Sequence, residues 1–131
     1  MKYSNEEIIA HRVLKSRDTF HFAVFTAERK EYLFAVRLLY YSAFYMVTAL
    51  LKKNNLRVKS HNGVRIFVHQ ELKMKNLVTL EESQFYDRLY NERHEADYAD
   101  FVTFEEETVK ELIEKTKSFI DTLEEIINYT K

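Results

Sequence analysis

Residues 33–51, LFAVRLLYYSAFYMVTALL, form an apolar run that decides the fold of the chain. Only Arg37, Ser42 and Thr48 in this run are plainly polar, and it contains no glycine or proline. A helix that is apolar on every side is either a membrane span or a helix surrounded by protein. Lipid would leave the tyrosine hydroxyls in the middle of the run without partners. The sequence therefore predicts the core helix of a folded domain and no membrane span.

The composition indicates a single helical domain, spanning residues 1–131. The chain is long enough to bury a core, and 31% of its residues are charged. One glycine and no proline favour long helices, and they exclude a glycine-rich phosphate loop. The absence of cysteine excludes disulfides and thiolate metal sites. A net charge of −1 gives no overall basic field that would indicate nucleic-acid binding, although it does not exclude a local basic patch. No signal peptide pattern follows Met1, so we expect a cytoplasmic protein.

Capping residues and helical periodicity mark the first two helices. Ser4 and Glu7 form a capping box, and the apolar stripe that follows indicates a helix to about Thr26. The apolar run then belongs to a central helix over about 28–53, followed by a loop over 54–59. Two helices joined by a short link usually pack antiparallel.

The second half of the chain shows three further helices. Ser60 is a good N-cap for a shorter helix over 61–74, and a fourth helix is predicted over 80–97. Thr103 and Glu106 form the capping box of the last helix, whose apolar residues recur at alternating spacings of three and four. The predicted fold is all-α, an up-and-down helical bundle of four long helices plus one shorter helix.

The fourth helix carries a positive charge on its apolar face. Arg93 lies four residues after Leu89 and three before Ala96, so the three share one face. A buried charge is costly without partners, and Asp97 one turn further along could supply one. The tyrosine hydroxyls of the central helix are other candidate partners. Arg93 is either a structural ion pair or a guanidinium that binds phosphate through its fork of donors.

The histidines allow two interpretations. His94, next to Arg93, is either a general acid or base near neutral pH or an exposed helix residue. His61 and His69 are eight residues apart and lack an accompanying carboxylate pattern. The sequence therefore predicts no metal site and no cofactor.

The central helix holds three of the nine tyrosines of the chain, Tyr40, Tyr41 and Tyr45. Such residues fill helical cores with their rings, and their hydroxyls find partners at an interface. They also stack on the base or ribose of a bound nucleotide. Tyr41 and Tyr45 are therefore candidate ligand contacts, together with Arg93 and Asp97.

Three segments in this order resemble the HEPN domain family (higher eukaryotes and prokaryotes nucleotide-binding): RLLYYSAFYMVTALL, KSHNGVRIFVHQELKMKN and NERHEADYADFVTFEEE. They carry a YYSAF-like motif, a Ser/Thr-His-x-Gly motif and an Arg-x-x-Ala-Asp-Tyr motif, which recur in small stand-alone bacterial and archaeal members. The resemblance covers nearly the whole chain. It implies an up-and-down helical bundle, commonly a homodimer. It also implies pairing with a small minimal nucleotidyltransferase, often as a toxin–antitoxin couple.

The resemblance further implies a site, because many HEPN proteins are metal-independent ribonucleases. Their motif is Arg, a polar residue, three further residues and His. Arg93 and His94 match the first two positions, whereas Tyr98 stands where the final His belongs. This departure predicts a catalytically degenerate protein that binds a nucleotide or RNA in a groove near these residues and Asp97. Arg88 and His94 fit a looser spacing, but Arg88 faces the acidic side of its helix.

Two other functions stay open. As an RNA endonuclease toxin, the protein would bind the scissile phosphate through Arg93. His94 would then carry the proton, and Tyr98 would orient the reacting groups through its hydroxyl. As a helical interaction module, the protein would instead use its tyrosine-rich central helix as the surface for a partner or a second copy.

Overall fold

The computed structural model describes residues 2–129, which form a helical bundle without strands. Four long α-helices and one short α-helix are joined by short loops: α1 (Asn5–Glu28), α2 (Tyr32–Lys53), α3 (His61–Phe67), α4 (Leu80–Tyr98) and α5 (Glu106–Tyr129). A π-helix over Val68–Lys73 directly continues α3. The predicted all-α bundle of four long helices and one shorter helix is confirmed.

Side-chain contacts show that the long helices alternate in direction. Arg12 of α1 donates a hydrogen bond to the carbonyl of Thr48 on α2. Four residues later, Ser16 contacts Ser42, six residues earlier on α2, so the two helices are antiparallel. The contacts between α4 and α5 reverse in the same way. This is the up-and-down arrangement of a helical bundle.

Helix α2 lies at the centre of the bundle and contacts every other α-helix. It has the length and apolarity of a membrane-spanning helix, yet half of its 22 residues are buried against its neighbours. Each large apolar side chain buried in this way stabilises the fold by roughly 1.5–3 kcal/mol. The apolar run is therefore the core helix that the sequence predicts.

Small residues allow α1 and α2 to approach closely. Ala35, Ser42 and Ala49 recur every seven residues on α2 and are fully buried, as are Ser16 and Ala23 on α1. The Ser16 hydroxyl donates to the Ser42 carbonyl at 2.6 Å, and the Ser42 hydroxyl donates to the Ser16 carbonyl at 3.0 Å. Because each bond joins a short side chain to the opposite backbone, the pair holds the two backbones together.

The link between α1 and α2 lies later than predicted. Helix α1 continues past Thr26 to Glu28, and α2 begins at Tyr32. Lys30 adopts a left-handed conformation with φ 64°, and its N–H bonds to the carbonyl of Ala27. A left-handed residue ends a helix, but lysine gives no such signal in a sequence.

The last helix begins later than predicted. Helix α5 starts at Glu106, where the Val109 N–H bonds to the Glu105 carbonyl, so Thr103 is not its N-cap. The segment before it is not helical and packs the half-buried ring of Phe104 against the core. That packing accounts for the delayed start.

The predicted helix over 61–74 consists of two kinds of helix. Only His61–Phe67 is α-helical, and Val68–Lys73 takes the wider π conformation. Ser60 caps the segment as predicted, because its hydroxyl accepts the N–H of Gly63 at 2.9 Å. A π-helix is rare and has no sequence signature, so the pattern could not show it.

Candidate functional site

Arg93 lies on the face of α4 that packs against the centre of the bundle. The residue is only 8% exposed, and its Nη1 donates to Asp97 Oδ2 at 3.0 Å. The Nε atom is buried and has no hydrogen-bond partner among residues 2–129. Burial alone lowers the pKa of Arg93, but the Asp97 hydrogen bond and nearby tyrosines raise it above its ordinary value. The buried guanidinium therefore stays charged and keeps a donor unused.

The carboxylate of Asp97 is shared by two arginines. Its Oδ1 accepts from Arg37 Nε at 2.6 Å, while its Oδ2 accepts from Arg93. Arg37 also donates through Nη2 to the carbonyl of Ala96 at 3.1 Å. Two guanidinium groups held by one carboxylate leave a local excess of positive charge. Such an excess favours an anion, and guanidinium groups bind phosphate through paired hydrogen bonds.

Tyrosine rings, rather than tyrosine hydroxyls, contact the guanidinium. Arg93 Cζ lies 4.9 Å from the ring centroid of Tyr40 and 6.0 Å from that of Tyr41, within cation–π range. Of the candidate partners of Arg93, Asp97 forms the hydrogen bond, and no tyrosine hydroxyl among residues 2–129 does so. The Tyr40 hydroxyl lies instead 2.8 Å from Nδ1 of His61. Burial raises the pKa of Tyr40 to about 12, so its hydroxyl keeps its proton.

The start of α3 positions His61 beside these rings. The ring of His61 stacks on that of Phe44, with centroids 4.6 Å apart. Gly63 is needed nearby because a Cβ there would lie 2.6 Å from Cγ1 of Val58. With the cap of Ser60, the Ser-His-x-Gly segment thus has a structural reason for each of its three defined positions.

His61 makes the stability of the bundle depend on pH. Burial, and secondarily the charge of Arg93, lower the pKa of His61 below its ordinary value. The unfolded chain takes up this proton near pH 6.5, so folding stability falls as the pH drops from there towards the lower folded pKa. We expect a lower melting temperature at about pH 5.5 than at about pH 7.5, with a smaller difference in His61→Gln. The exposed His11→Gln is the control, and an unchanged pH response in His61→Gln would contradict the assignment.

His94 and Tyr98 lie outside the buried cluster around Arg93, which consists of Arg93, Asp97, Tyr40, Tyr41 and His61. Both are exposed, Tyr98 by 71%, and their rings contact each other at 4.8 Å. One step along an α-helix turns the side chain by roughly 100°, which takes His94 away from the face of Arg93. The structure thus brings Arg93, Asp97 and Tyr41 together and leaves His94 and Tyr98 on the surface.

Tyr45 lies between the cluster and an adjoining groove. Its ring centroid is 6.1 Å from that of Tyr41, and Lys15 Nζ lies 4.5 Å from the centre of the Tyr45 ring. The groove has a volume of about 760 Å³ and runs between α1, α2 and the loop after α2. Tyr45 and Phe44 both line it, so the aromatic surface continues from the cluster into the groove.

A second polar cluster joins α3 and the π-helix that continues it to α4. Asp87 Oδ1 lies 2.9 Å from Nε2 of His69 and 3.4 Å from Nη1 of Arg65. The guanidinium of Arg65 also lies over the Tyr90 ring, at 5.2 Å. Within the part of the chain that the structure describes, no group of three metal-ligating side chains comes together. His69 thus belongs to a hydrogen-bonded cluster around Asp87.

Sequence analysis did not predict two members of the site, Arg37 and His61, and it placed Tyr40 near Arg93 only as one of the candidate hydroxyl partners. Arg37 is the only charged residue in the apolar run, and Tyr41 and Phe44 follow it at four and seven residues. These spacings place all three on one helix face. That periodicity was the signal available for Arg37, whereas nothing local indicates the bond between Tyr40 and His61.

Comparison with known proteins identifies the class of this protein. The model of the HEPN domain matches residues 10–126. A protein of Thermotoga maritima named "UPF0332 protein" is 33% identical over 126 residues, which cover 96% of each chain. The chain therefore belongs to the HEPN domain family, and the predicted resemblance is confirmed.

A further relative carries a functional name. "Putative toxin MJ0142" of Methanocaldococcus jannaschii is 33% identical over 90 residues, which cover 69% of this chain. The match covers 61% of that relative's length. This chain is thus a HEPN-domain protein with a relative that is named as a candidate toxin.

Proposed function

We propose that this HEPN-domain protein binds the phosphate of a nucleotide or of an RNA end at Arg93. The observation that carries the proposal is the buried guanidinium, which is tethered by Asp97 yet has an unpartnered Nε. Electrostatic attraction between charged groups is stronger in such a site than in water. The half-buried ring of Tyr41 offers a face on which a base can stack.

We further propose that the site binds its ligand without cleaving it. Tyr98 occupies the position of the final motif His, and its exposed ring packs on His94 rather than near Arg93. A proton carrier must come within hydrogen-bond reach of the reacting atoms. The outward position of His94 supports binding over the endonuclease alternative.

Titration with matched ligands tests both proposals. Calorimetry in EDTA would compare AMP and ATP with adenosine, and a 5′-phosphorylated RNA oligomer with its 5′-hydroxyl form. We expect the phosphorylated ligand to bind more tightly in each pair, because the guanidinium binds phosphate oxygens. No binding, or equal binding of adenosine and AMP, would overturn the site. Cleavage of the RNA by excess protein in EDTA would favour the endonuclease instead.

We also propose that the protein acts with a minimal nucleotidyltransferase in a toxin–antitoxin-type pair in the cytoplasm. The support is the family membership together with the name of the archaeal relative. A nucleotidyltransferase frame beside the gene, and co-purification of the two products, are the expected observations. A co-expressed neighbouring nucleotidyltransferase that does not bind the protein would contradict the pairing.

Exposed aromatic residues on α1 support the proposal of a homodimer. Phe22 is 58% exposed and Phe25 49%, and their rings stack at 6.2 Å. With Leu38 they line a shallow surface hollow. Contiguous exposed apolar surface commonly marks a protein interface. We propose that a second copy of the chain covers this face.

Replacing Phe22 and Phe25 together by serine should convert the dimer into a monomer, because the interface would lose its aromatic contacts. Light scattering after gel filtration measures the mass, which should fall from twice 15.8 kDa to that value. The control is Met74→Ser, another exposed apolar residue, at 71%. A monomeric wild-type protein, or a double variant that stays dimeric, would contradict the proposed interface.

A further inference from the structure

Among the described residues, the groove beside the site is lined by lysine and arginine side chains and by no carboxylate. Its lining includes five lysine and arginine residues: Arg12, Lys15, Lys52, Arg57 and Lys59. The chain as a whole has a net charge of −1. Residues 1–59 contain eleven lysines and arginines against five acidic residues, whereas 60–131 contain nine against sixteen. The positive charge is thus concentrated on the side of the molecule that forms the groove.

These cations are available to a ligand. Arg57 and Lys59 are exposed, and neither forms an ion pair with any residue from 2 to 129. Arg12 donates only to the carbonyl of Thr48, which leaves its charge without a carboxylate partner in the same range. Several lysines on α5 differ in this respect, because each pairs with an acid one turn away. Within residues 2–129, the five groove cations therefore form no ion pair with a carboxylate.

The groove is continuous with the Arg93 site through a row of aromatic rings. Lys15 Nζ lies 4.5 Å from the centre of the Tyr45 ring, which lies 6.1 Å from the ring of Tyr41. The Tyr41 ring in turn lies 6.0 Å from Cζ of Arg93. Tyr41 and Tyr45 are half-buried, so both rings keep accessible surface. Cations along a groove with rings between them suit a charged chain that carries planar bases.

We propose that the groove binds the phosphodiester backbone of a single-stranded nucleic acid whose terminal phosphate lies at Arg93. This inference rests on the proposed function and extends it from one phosphate to several. Five uncompensated cations exceed what a single phosphate needs, whereas successive phosphates of a strand match a row of them. Unpaired bases stack on the rings of Tyr41 and Tyr45, which a duplex cannot do with its bases already paired and stacked.

Salt-dependent binding of a labelled single-stranded RNA tests this proposal. The double variant Arg57→Ala/Lys59→Ala removes two groove cations from exposed positions. With a salt slope of about 0.7 per phosphate contact, we expect about 10- to 30-fold weaker binding at roughly 0.1 M salt and a slope lower by about 1.4. Fluorescence anisotropy gives both numbers. Lys115→Ala/Lys117→Ala, which removes the same charge from α5, should bind as wild type.

The outcomes separate the groove from the Arg93 site. RNA binding by the groove variant at wild-type strength overturns the groove, and AMP binding that still depends on Arg93 then leaves the proposed function intact. A wild-type protein that binds neither AMP nor RNA overturns both. If the groove variant and the α5 variant lose the same RNA affinity, the effect is one of net charge and the groove proposal is overturned. A duplex that binds as tightly as the single strand would overturn it as well. Binding of single-stranded DNA of the same sequence shows whether the groove distinguishes ribose from deoxyribose. Tighter binding of RNA and equal binding of the two strands both support the groove.

Discussion

Replacing Arg93 by methionine should weaken the binding of AMP or phosphorylated RNA about 100-fold, the largest effect on binding that we expect from one substitution. A hydrogen bond to a charged group contributes roughly 1.5–3 kcal/mol, which corresponds to about 10- to 150-fold in affinity. Methionine fills a similar volume with an adaptable apolar chain, so the contacts with the Tyr40 ring are partly kept. Asp97 keeps Arg37 as its partner and is not left as an unpaired charge. Calorimetric titration of the folded variant measures the loss.

The control for this experiment is Arg88→Met. Arg88 stands on the same helix and pairs with Glu111 at 3.1 Å, on a half-exposed surface away from the site. The Arg88→Met substitution removes the same charge as Arg93→Met and should leave ligand binding unchanged. Arg93→Lys keeps the charge without the planar fork, so its affinity should fall between wild type and Arg93→Met. Wild-type affinity in Arg93→Met would show that the guanidinium is only a structural ion pair.

Replacing Ser42 by leucine should have the largest effect on stability, a loss of about 2–4 kcal/mol. Overpacking a well-packed core costs roughly 1–3 kcal/mol, and the lost hydrogen bond to Ser16 adds about 1 kcal/mol. The cost arises because Ser42 is fully buried where α1 and α2 hold each other through backbone carbonyls. With a total stability of roughly 5–15 kcal/mol, the melting temperature should fall by about 7–15 °C.

Thermal unfolding followed by circular dichroism measures this loss, with Ser42→Ala as the matched control. Alanine removes the Ser42 hydroxyl without adding volume, and the Ser16 hydroxyl keeps its bond to the backbone at position 42. The alanine variant should therefore lose only about 1 kcal/mol. If leucine is tolerated as well as alanine, the two helices are not held as closely as the reciprocal bonds indicate.

The features predictable from the sequence are those that depend on neighbours within one helix. The apolar run predicted the core helix, and the capping residues Ser4 and Ser60 predicted two helix starts, because each signal lies within the helix that it defines. The same holds for Arg93 and Asp97, which are four residues apart on α4. Spacing along one helix sets such relations, so they can be read without knowing how the helices pack.

The features that escaped prediction depend on contacts between helices. Arg37 reaches Asp97 from 60 residues away, and His61 reaches Tyr40 from 21 residues away. No residue type in the sequence indicates the π-helix or the left-handed conformation of Lys30. His94 and Tyr98 were predicted as site residues through the family motif, whereas their exposed positions follow from the helical phase relative to Arg93.

The position of α2 has a consequence for how the chain reaches its native state. Its first neighbour, α1, is adjacent in sequence, so the hairpin of the two can collapse early through local contacts. Helix α5, which also packs on α2, lies about fifty residues further along the chain. Until α5 docks, the hairpin of α1 and α2 exposes the apolar surface of α2 that α5 later buries. During that interval the species is prone to aggregate or to borrow α5 from a second molecule, which makes an exchanged dimer the misassembly to look for when the protein is refolded at high concentration.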